Sequence, residues 1–336
     1  MYHTGTELVC TTWGHISREL HLSAARVTIT GGNMKYIGID LGGTAIKFGE
    51  VTGEGKIVNK WEIDTPSDVI TAMADEIRSH YDLTEIAGIG MTVPGPIDAN
   101  GYLFLCPNVP FLKDCYPAAQ LSEKLGGIRC AAGNDGKLAA LGEFAFGAAR
   151  SYDSIIMATV GTALGGGVII DGQLIYGSHN VAGEISHIHV RDDETVQCGC
   201  GGYGCLEQVA SGTGLVREAK RALARANEDS SLRSIPEDKL MAKDVCDAAQ
   251  AGDKLADEVV HFCFGYLGRQ FAAMTCIIDP EAFIIGGGVS RAGQYLIDVI
   301  DEAYRSELHI TKTPAKIVLA ELGNDAGILG AAKLVM

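Results

Sequence analysis

Three cysteines and a histidine form the residue pattern in this sequence best suited to binding a metal. Cys198, Cys200 and Cys205 lie in a glycine-rich Cys-x-Cys-x4-Cys run, and His187 precedes them. Three thiolates and one imidazole match the ligands that Zn²⁺ takes in tetrahedral sites. His189 competes with His187 as the fourth ligand. Four protein ligands leave no open position on the metal, so the pattern predicts a structural zinc site.

Two glycine-rich segments lie between predicted strands and suit phosphate binding. Residues 40–44 separate strands predicted at 35–40 and 45–51, and a turn predicted at 161–167 follows a strand at 154–160. Glycines let backbone N–H groups approach a phosphate closely, and the Asp40 carboxylate can hold Mg²⁺ through water. Neither segment has the strand-to-helix setting of a P-loop or a dinucleotide fingerprint. A simple glycine-rich turn is the alternative for either segment alone. Because the pattern recurs, we expect two related α/β domains whose loops grip phosphates from both sides of a cleft.

A third glycine-rich turn, Gly286-Gly287-Gly288, ends a predicted buried strand and precedes a helix. A ribose or adenine can lie against such a turn. Tight packing of the helix on the strand explains it equally well.

Carboxylates and amides suited to carbohydrate binding surround the cysteine run. Glu184 and Glu207 flank it, and Asn134-Asp135 stands upstream at the start of a predicted helix. Such groups bind sugar hydroxyls through charge-assisted or bidentate hydrogen bonds. Asp135 is placed to accept a proton from an attacking hydroxyl. The alternatives are solvated acidic side chains for the two glutamates and a helix cap for Asp135.

Bulk properties limit the function classes. A chain of 336 residues favours two domains. Its net charge of −15 argues against a broad nucleic-acid surface and leaves room for a nucleotide ligand. No apolar run approaches the roughly 18 residues that a membrane span needs. Without a secretory signal, we expect a cytoplasmic, reducing location.

The predicted elements place these motifs on two domains. We expect one helix with Thr65 as its N-cap and Pro66 as its first residue. Further helices are expected at 135–148, 252–279 and 326–335, and the last of them should pack on the first domain. The first domain is predicted at 34–139 plus 324–336, and the second at 140–323. Residues 1–33 are interpreted as a leader or tag. A helix-turn-helix around residues 16–28 is the alternative, and Gly31-Gly32 would cut its second helix short.

The ordered motifs resemble the ROK family (repressors, open reading frames, kinases), and in particular its bacterial glucokinases, from residue 34 to the end. The matching segments are Asp40-Leu41-Gly42-Gly43-Thr44, Val93-Pro94-Gly95, Pro107-Asn108, Asn134-Asp135, Gly161-Thr162, Gly183-Glu184-Ile185-Ser186-His187, Cys198-Gly199-Cys200-Gly201, Gly204-Cys205-Leu206-Glu207 and Gly286-Gly287-Gly288. Two segments depart from the family pattern. Gly136-Lys137 replaces Ala-Asn, and Ser186 replaces a glycine.

The resemblance implies an α/β, two-domain actin-like ATPase (ribonuclease H-like) fold with an active site in the interdomain cleft. It implies ATP-dependent phosphorylation of a hexose at the 6-hydroxyl, with Asp135 as general base and Mg²⁺ and structural Zn²⁺ as cofactors. The residues implied to bind sugar are Asn108, Asn134, Asp135, Glu184, His187 and Glu207. Those implied to bind ATP and its phosphates are Asp40, Gly42, Gly43, Thr44, Lys47, Gly161, Thr162, Gly165, Gly286, Gly287 and Gly288.

Glucose is the expected substrate, and N-acetylmannosamine, allose and fructose are the alternatives. A homodimer or homotetramer without a nucleic-acid or membrane partner is expected. A sugar-responsive repressor, also found in this family, would need a DNA-binding domain larger than residues 1–33.

Overall fold

A computed structural model describes residues 34–106 and 108–336. The predicted leader and its helix-turn-helix alternative therefore lie outside the described residues.

The first sheet has five strands in the order β3-β2-β1-β4-β5. The strands are β1 (Lys35–Leu41), β2 (Ala45–Val51), β3 (Ile57–Asp64), β4 (Ile86–Val93) and β5 (Cys130–Asn134). β1 pairs antiparallel with β2 and parallel with β4, and β5 continues the parallel part. β4 is buried along most of its length, as expected for a central strand covered on both faces.

The second sheet repeats this topology in the order β10-β9-β6-β7-β8. Its strands are β6 (Ile155–Val160), β7 (Leu164–Ile170), β8 (Gln173–Leu174), β9 (Ala282–Gly286) and β10 (Lys316–Leu319). β6 to β8 form an antiparallel meander, and β9 and β10 add in parallel, like the corresponding strands of the first sheet. Two mixed sheets with helices confirm the α/β class and the internal repeat that the sequence indicated.

Equivalent hairpins begin the two sheets. Residues 42–44 connect β1 to β2, and residues 161–163 connect β6 to β7, so each connection is three residues long. In both, the first glycine N–H donates across the turn: Gly42 to Ala45 O at 3.0 Å and Gly161 to Ala163 O at 2.9 Å. The predicted turn at 161–167 was too long, because β7 begins at Leu164. The predicted Asp171-Gly172 hairpin turn is confirmed by φ values of +50° and +74°.

Nine α-helices occur in the described residues. They are α1 (Val69–His80), α2 (Pro117–Lys124), α3 (Asp135–Phe146), α4 (Glu207–Ala210), α5 (Gly212–Arg225), α6 (Ala242–Gln250), α7 (Lys254–Ile278), α8 (Gln294–Glu307) and α9 (Ala326–Lys333). The predicted start of the first helix at Thr65-Pro66 was wrong. The Asp68 side chain caps α1 by accepting the Thr71 N–H, while the Thr65 hydroxyl donates to Gly42 O and holds the preceding segment against the glycine turn.

The last helix, α9, packs on β1, β4 and α3, as predicted. Glycines allow this close approach: a Cβ added to Gly90 would lie 1.7 Å from Ala331 O, and one added to Gly330 would lie 1.7 Å from Leu138 O. The predicted domain boundary at residues 139/140 falls inside α3, which is one continuous helix.

Each sheet has its own apolar core. Side chains of β1, β2 and β4 pack with α1 and α2 in one, and those of β6, β7 and β9 pack with α5 to α8 in the other. None of the helices in residues 34–106 and 108–336 combines the length and apolarity that crossing a bilayer requires.

Candidate active site

The four predicted metal ligands converge in the structure. One ligand atom from each of His187, Cys198, Cys200 and Cys205 lies within 4.8 Å of the others. The Cys200 and Cys205 sulfurs are 3.6 Å apart, and His187 Nδ1 is 3.8 Å from the Cys198 sulfur. Ligands at about 2.3 Å from a tetrahedral Zn²⁺ are about 3.8 Å apart, so the donor set fits this ion.

The competing ligand, His189, is occupied elsewhere. Its Nδ1 lies 2.8 Å from Tyr203 O and its Nε2 lies 2.9 Å from Asp192 Oδ1. The geometry therefore favours His187 as the fourth ligand.

A cavity of about 640 Å³ lies beside this cluster. It is lined by all six residues for which the sequence predicted a sugar-binding role: Asn108, Asn134, Asp135, Glu184, His187 and Glu207. His187 thus belongs both to the metal cluster and to the cavity wall. Because its Nδ1 is on the thiol side, its Nε2 is the ring nitrogen left for a ligand in the cavity.

Asn134 and Asp135 divide two roles at the start of α3. Asn134 is the N-cap: its Oδ1 accepts the Lys137 N–H at 3.1 Å, and its Nδ2 donates to Gly95 O at 3.3 Å. Asp135 follows as the first helical residue and accepts its neighbour Gly136 N–H at 2.9 Å. The alternative interpretation of Asp135 as the cap was therefore wrong. Asn134 supplies the cap, and the Asp135 side chain lines the cavity.

The electrostatic surroundings of Asp135 favour its protonated form. Desolvation by the enclosing protein raises its pKa above the ordinary value, and the Gly136 N–H partly opposes this. The negative charges of Asp40 and Glu184 raise the pKa further. A raised carboxyl pKa brings its proton affinity closer to that needed by a general base near neutral pH.

Two glutamates connect the cavity with its surroundings. Glu184 Oε1 lies 2.7 Å from Lys137 Nζ, an ammonium group that is almost fully buried. Glu207 Oε2 accepts the Leu164 N–H at 3.1 Å, and Cys198 Sγ lies 3.9 Å from Glu207 Oε1. Glu207 therefore joins the metal cluster to the residue that follows the 161–163 turn.

A second cavity of about 540 Å³ meets the first at the 161–163 turn. Gly161 and Thr162 line both cavities. The turn is tied to the start of α5, since Gly212 N–H donates to Gly161 O at 2.7 Å and Thr213 Oγ1 donates to Thr162 O at 2.8 Å. The two cavities therefore adjoin at the backbone of this turn.

The three glycines at the end of β9, Gly286 to Gly288, have three different environments. Gly287 lines the larger cavity and Gly288 lines the smaller one. Gly286 is buried, and a Cβ added to it would lie 2.7 Å from Met157 Cε, so it lies away from both. Gly165, at the start of β7, lines the larger cavity.

The predicted phosphate-binding residues of the first sheet line neither cavity. Gly43 packs against Asn108, where an added Cβ would lie 2.8 Å from the Asn108 oxygen. Asp40 Oδ1 accepts the Thr92 hydroxyl at 2.7 Å, and Lys47 Nζ lies 3.6 Å from Asp40 Oδ2. Gly42 and Thr44 complete the same turn, tied at Thr44 O by the Thr65 N–H. Gly43 nevertheless contacts Asn108, which lines the larger cavity, and the negative charge of Asp40 raises the pKa of Asp135.

Sequence reasoning missed most of the smaller cavity. Its polar lining includes Thr213, Lys243, Asp247 and Arg291, which come from α5, α6 and the segment after β9. No local motif marks these residues, because they become neighbours only when distant elements pack together. Lys137 was noted only as a departure from the family pattern.

The chain is similar to proteins of one known family. The ROK family model matches residues 36–336. A glucokinase from Halalkalibacterium halodurans is 36% identical over 89% of this chain and 94% of its own length. An N-acetylmannosamine kinase from Escherichia coli is 29% identical over 90% of this chain and 98% of its own.

Among solved structures, a ROK family glucokinase from Streptomyces griseus in complex with glucose and AMPPNP is similar. It matches with a TM-score of 0.75 and 33% identity, over 89% of this chain and 98% of the other. The expected actin-like ATPase fold is confirmed by this similarity. From residue 36 to its end, with the ordered glycine turns and the Cys3His cluster in place, this chain belongs to the ROK family.

Proposed function

We propose that this protein transfers the γ-phosphoryl group of ATP to the 6-hydroxyl of a hexose, with glucose as the preferred sugar. The observation that carries the proposal is that two cavities share the 161–163 turn. One has the carboxylates and amides that hold a sugar. The other, of about 540 Å³, is lined in part by Gly288 of the glycine triplet and would hold the nucleoside. Phosphates that bridge the two cavities would bring the γ-phosphorus to Asp135.

In the proposed reaction, Asp135 takes the proton of the 6-hydroxyl while that oxygen attacks the γ-phosphorus of ATP. The bond from the γ-phosphorus to the bridging oxygen breaks, and ADP leaves with the electron pair. The protein contributes positioning and charge stabilisation, which dominate phosphoryl transfer. Asn108, Asn134, Glu184, His187 and Glu207 would hold the sugar hydroxyls.

Backbone N–H groups of the two three-residue turns would orient the phosphates. Gly43 and Thr44 would do so from the first sheet and Thr162 from the second, while the N–H groups of Gly42 and Gly161 close the turns themselves. Asp40 would hold Mg²⁺ through water, and Lys47 would add positive charge. When bound, Mg²⁺ neutralises charge on the phosphate oxygens.

A structural Zn²⁺ at His187, Cys198, Cys200 and Cys205 is part of the proposal. The convergence of the four donor atoms, all within 4.8 Å of one another, supports it. Such an ion would fix the His187 ring and, through Cys198, the neighbourhood of Glu207.

The decisive variant is Asp135→Asn, which keeps the side-chain shape and removes the base. We expect kcat to fall by about 10²- to 10⁴-fold while calorimetry shows sugar binding largely retained. Asp75→Asn makes the same chemical change on exposed α1 and should keep wild-type turnover. Wild-type kcat in Asp135→Asn would remove Asp135 from the base role.

The sugar is tested by ADP release over glucose, N-acetylmannosamine, allose and fructose. N-acetylmannosamine is the main competitor of glucose. The chain is similar to an N-acetylmannosamine kinase, and Ser186, a departure from the family pattern, lies in the cavity wall. Turnover of N-acetylmannosamine alone would overturn glucose and keep the kinase. No turnover of any sugar would overturn the kinase itself.

The oligomer and the location stay predictions. We infer a homodimer or homotetramer from the resemblance to the family, and a cytoplasmic location from a cysteine pattern that favours metal binding over disulfides. We likewise propose two domains that divide near α3. Light scattering coupled to gel filtration measures the oligomer directly.

A further inference from the structure

A buried cation stands immediately behind the cavity. Lys137 occupies the first turn of α3, two residues after Asp135, and only 1% of its side chain is exposed. Its Nζ lies 2.7 Å from Glu184 Oε1, and the Glu184 side chain, 37% exposed, lines the cavity. Lys137 does not itself line the cavity, whereas its partner Glu184 does.

Helix stability does not explain a lysine at this position. A positive charge in the first turn opposes the helix dipole, which favours negative charge there. Burying an ammonium also carries a large desolvation cost, and apolar side chains often replace buried ion pairs without loss of stability. We therefore attribute the charge at this position to a role other than stabilising the fold.

The backbone around the ion pair is held at close range. A Cβ added to Gly136 would lie 3.0 Å from Gly166 N, and one added to Gly166 would lie 2.6 Å from Gly183 O. These glycines bring the start of α3, strand β7 and the segment before Glu184 into direct backbone contact. The 2.7 Å ion pair therefore joins two closely packed backbone segments, and Lys137 holds one oxygen of the Glu184 carboxylate.

We propose that Lys137 is a positioning residue that acts through Glu184 to set which sugars the site accepts. With Oε1 engaged by the ammonium, Oε2 is the oxygen left to face a sugar. An ionised carboxylate oxygen accepts hydrogen bonds and donates none. A sugar that lacks the matching hydroxyl leaves this oxygen without a hydrogen-bond partner. Sites built to bind a hydroxyl select strongly against such a sugar. The inference rests on the proposed sugar kinase function.

The test is a selectivity measurement with glucose and its monodeoxy analogues. The ratio of kcat/KM for glucose to that for each analogue is measured for the wild type, Lys137→Met, Glu184→Gln and the double variant. A ratio of this kind is independent of the fraction of protein that is folded. Glu184→Gln should lower the ratio at one deoxy position, which identifies the hydroxyl that Glu184 contacts.

We expect Lys137→Met to lower the ratio at that same position by about tenfold or more, the effect of one hydrogen bond to a charged group. Ratios at the other positions should stay within about threefold, as should KM for ATP. Since Lys137 acts through Glu184, the double variant should lose no more selectivity than Glu184→Gln alone. Lys137→Gln, which keeps a donor and removes the charge, serves in the same measurement if the methionine variant does not fold.

The matched control is Glu143→Gln, which removes a buried charge from the other end of the same helix. Glu143 accepts the N–H groups of Ala148, Glu321 and Leu322 and lies away from both cavities. Its selectivity ratios should equal those of the wild type.

The inference is overturned if Lys137→Met and Lys137→Gln keep the wild-type ratios, if all ratios fall together, or if the losses in the double variant add. It is also overturned if Glu184→Gln changes no ratio. A wild-type protein that phosphorylates no hexose would instead overturn the proposed function.

Discussion

Replacing Gly287 by alanine should damage both stability and turnover, whereas the same change at the next residue should not destabilise the fold. Gly287 has a φ of +83°, and a Cβ added to it would lie 2.5 Å from Val160 O. With a ψ of 176°, this φ lies in a backbone region essentially limited to glycine, which costs a residue with a side chain about 1–3 kcal/mol. Overpacking against backbone adds about 1–3 kcal/mol. The free energy of unfolding of Gly287→Ala should therefore fall by about 2–6 kcal/mol.

The functional consequence follows from the place of Val160. It is the last residue of β6 and immediately precedes the 161–163 turn. An ordinary contact of 3.4 Å requires the two backbones to separate by about 0.9 Å beyond the 2.5 Å found for the added Cβ. Misplacing reacting groups by about 1 Å can lower the rate about 10²-fold, so we expect a loss in kcat of that order.

Gly288→Ala is the matched control for stability. No atom lies within 4 Å of a Cβ added at Gly288, and its φ is not in the positive range. Its free energy of unfolding should change by less than about 1 kcal/mol. Thermal melts of both variants and ADP release by Gly287→Ala provide the measurements. Equal melting temperatures together with wild-type kcat in Gly287→Ala would refute the reasoning.

Three further predictions concern the site and its support. If Asp135 is the base, kcat/KM should decline as the pH falls through its raised pKa, and Glu184→Gln, by removing a negative charge, should move this decline to lower pH. A pH profile in which the acidic limb stays in place would contradict that coupling. Removing the proposed Zn²⁺ from the Cys3His cluster with a chelator should raise KM for the sugar by about 10-fold or more and change KM for ATP little, because His187 and Glu207 line the larger cavity. Equal changes in both KM values, or none, would argue against this. Glu143→Gln should lower the free energy of unfolding by about 1–3 kcal/mol, because it weakens acceptance of three backbone N–H groups; an unchanged melt would count against that role.

Local sequence patterns predicted the repeated architecture because its signals are short-range. Glycines between apolar runs marked both three-residue turns, and Asp171-Gly172 marked a hairpin that positive φ values confirm. The spacing of Cys198, Cys200 and Cys205 predicted the metal cluster, since neighbouring thiolates on a glycine-rich segment can converge with little help from the rest of the chain.

Element boundaries were less predictable, because competing local signals were close in strength. Thr65 and Asp68 are both suitable caps, and the structure uses Asp68 because Thr65 is engaged with the first glycine turn. The glycines at 165–167 suggest a turn, yet they lie in β7, where pairing with β6 and close contacts with Gly136 and Gly183 favour residues without side chains.

By itself, the sequence predicted the two glycine turns, the three cysteine ligands and the candidate base, since each depends on residues close together in the chain. Only the tertiary structure decided that His189 is engaged elsewhere, that two cavities meet at residues 161–163, and that Lys137 lies behind Glu184. The physical reason is that these relations join atoms far apart in the chain. Their distances are set by how sheets, helices and glycine contacts pack, which no local pattern records.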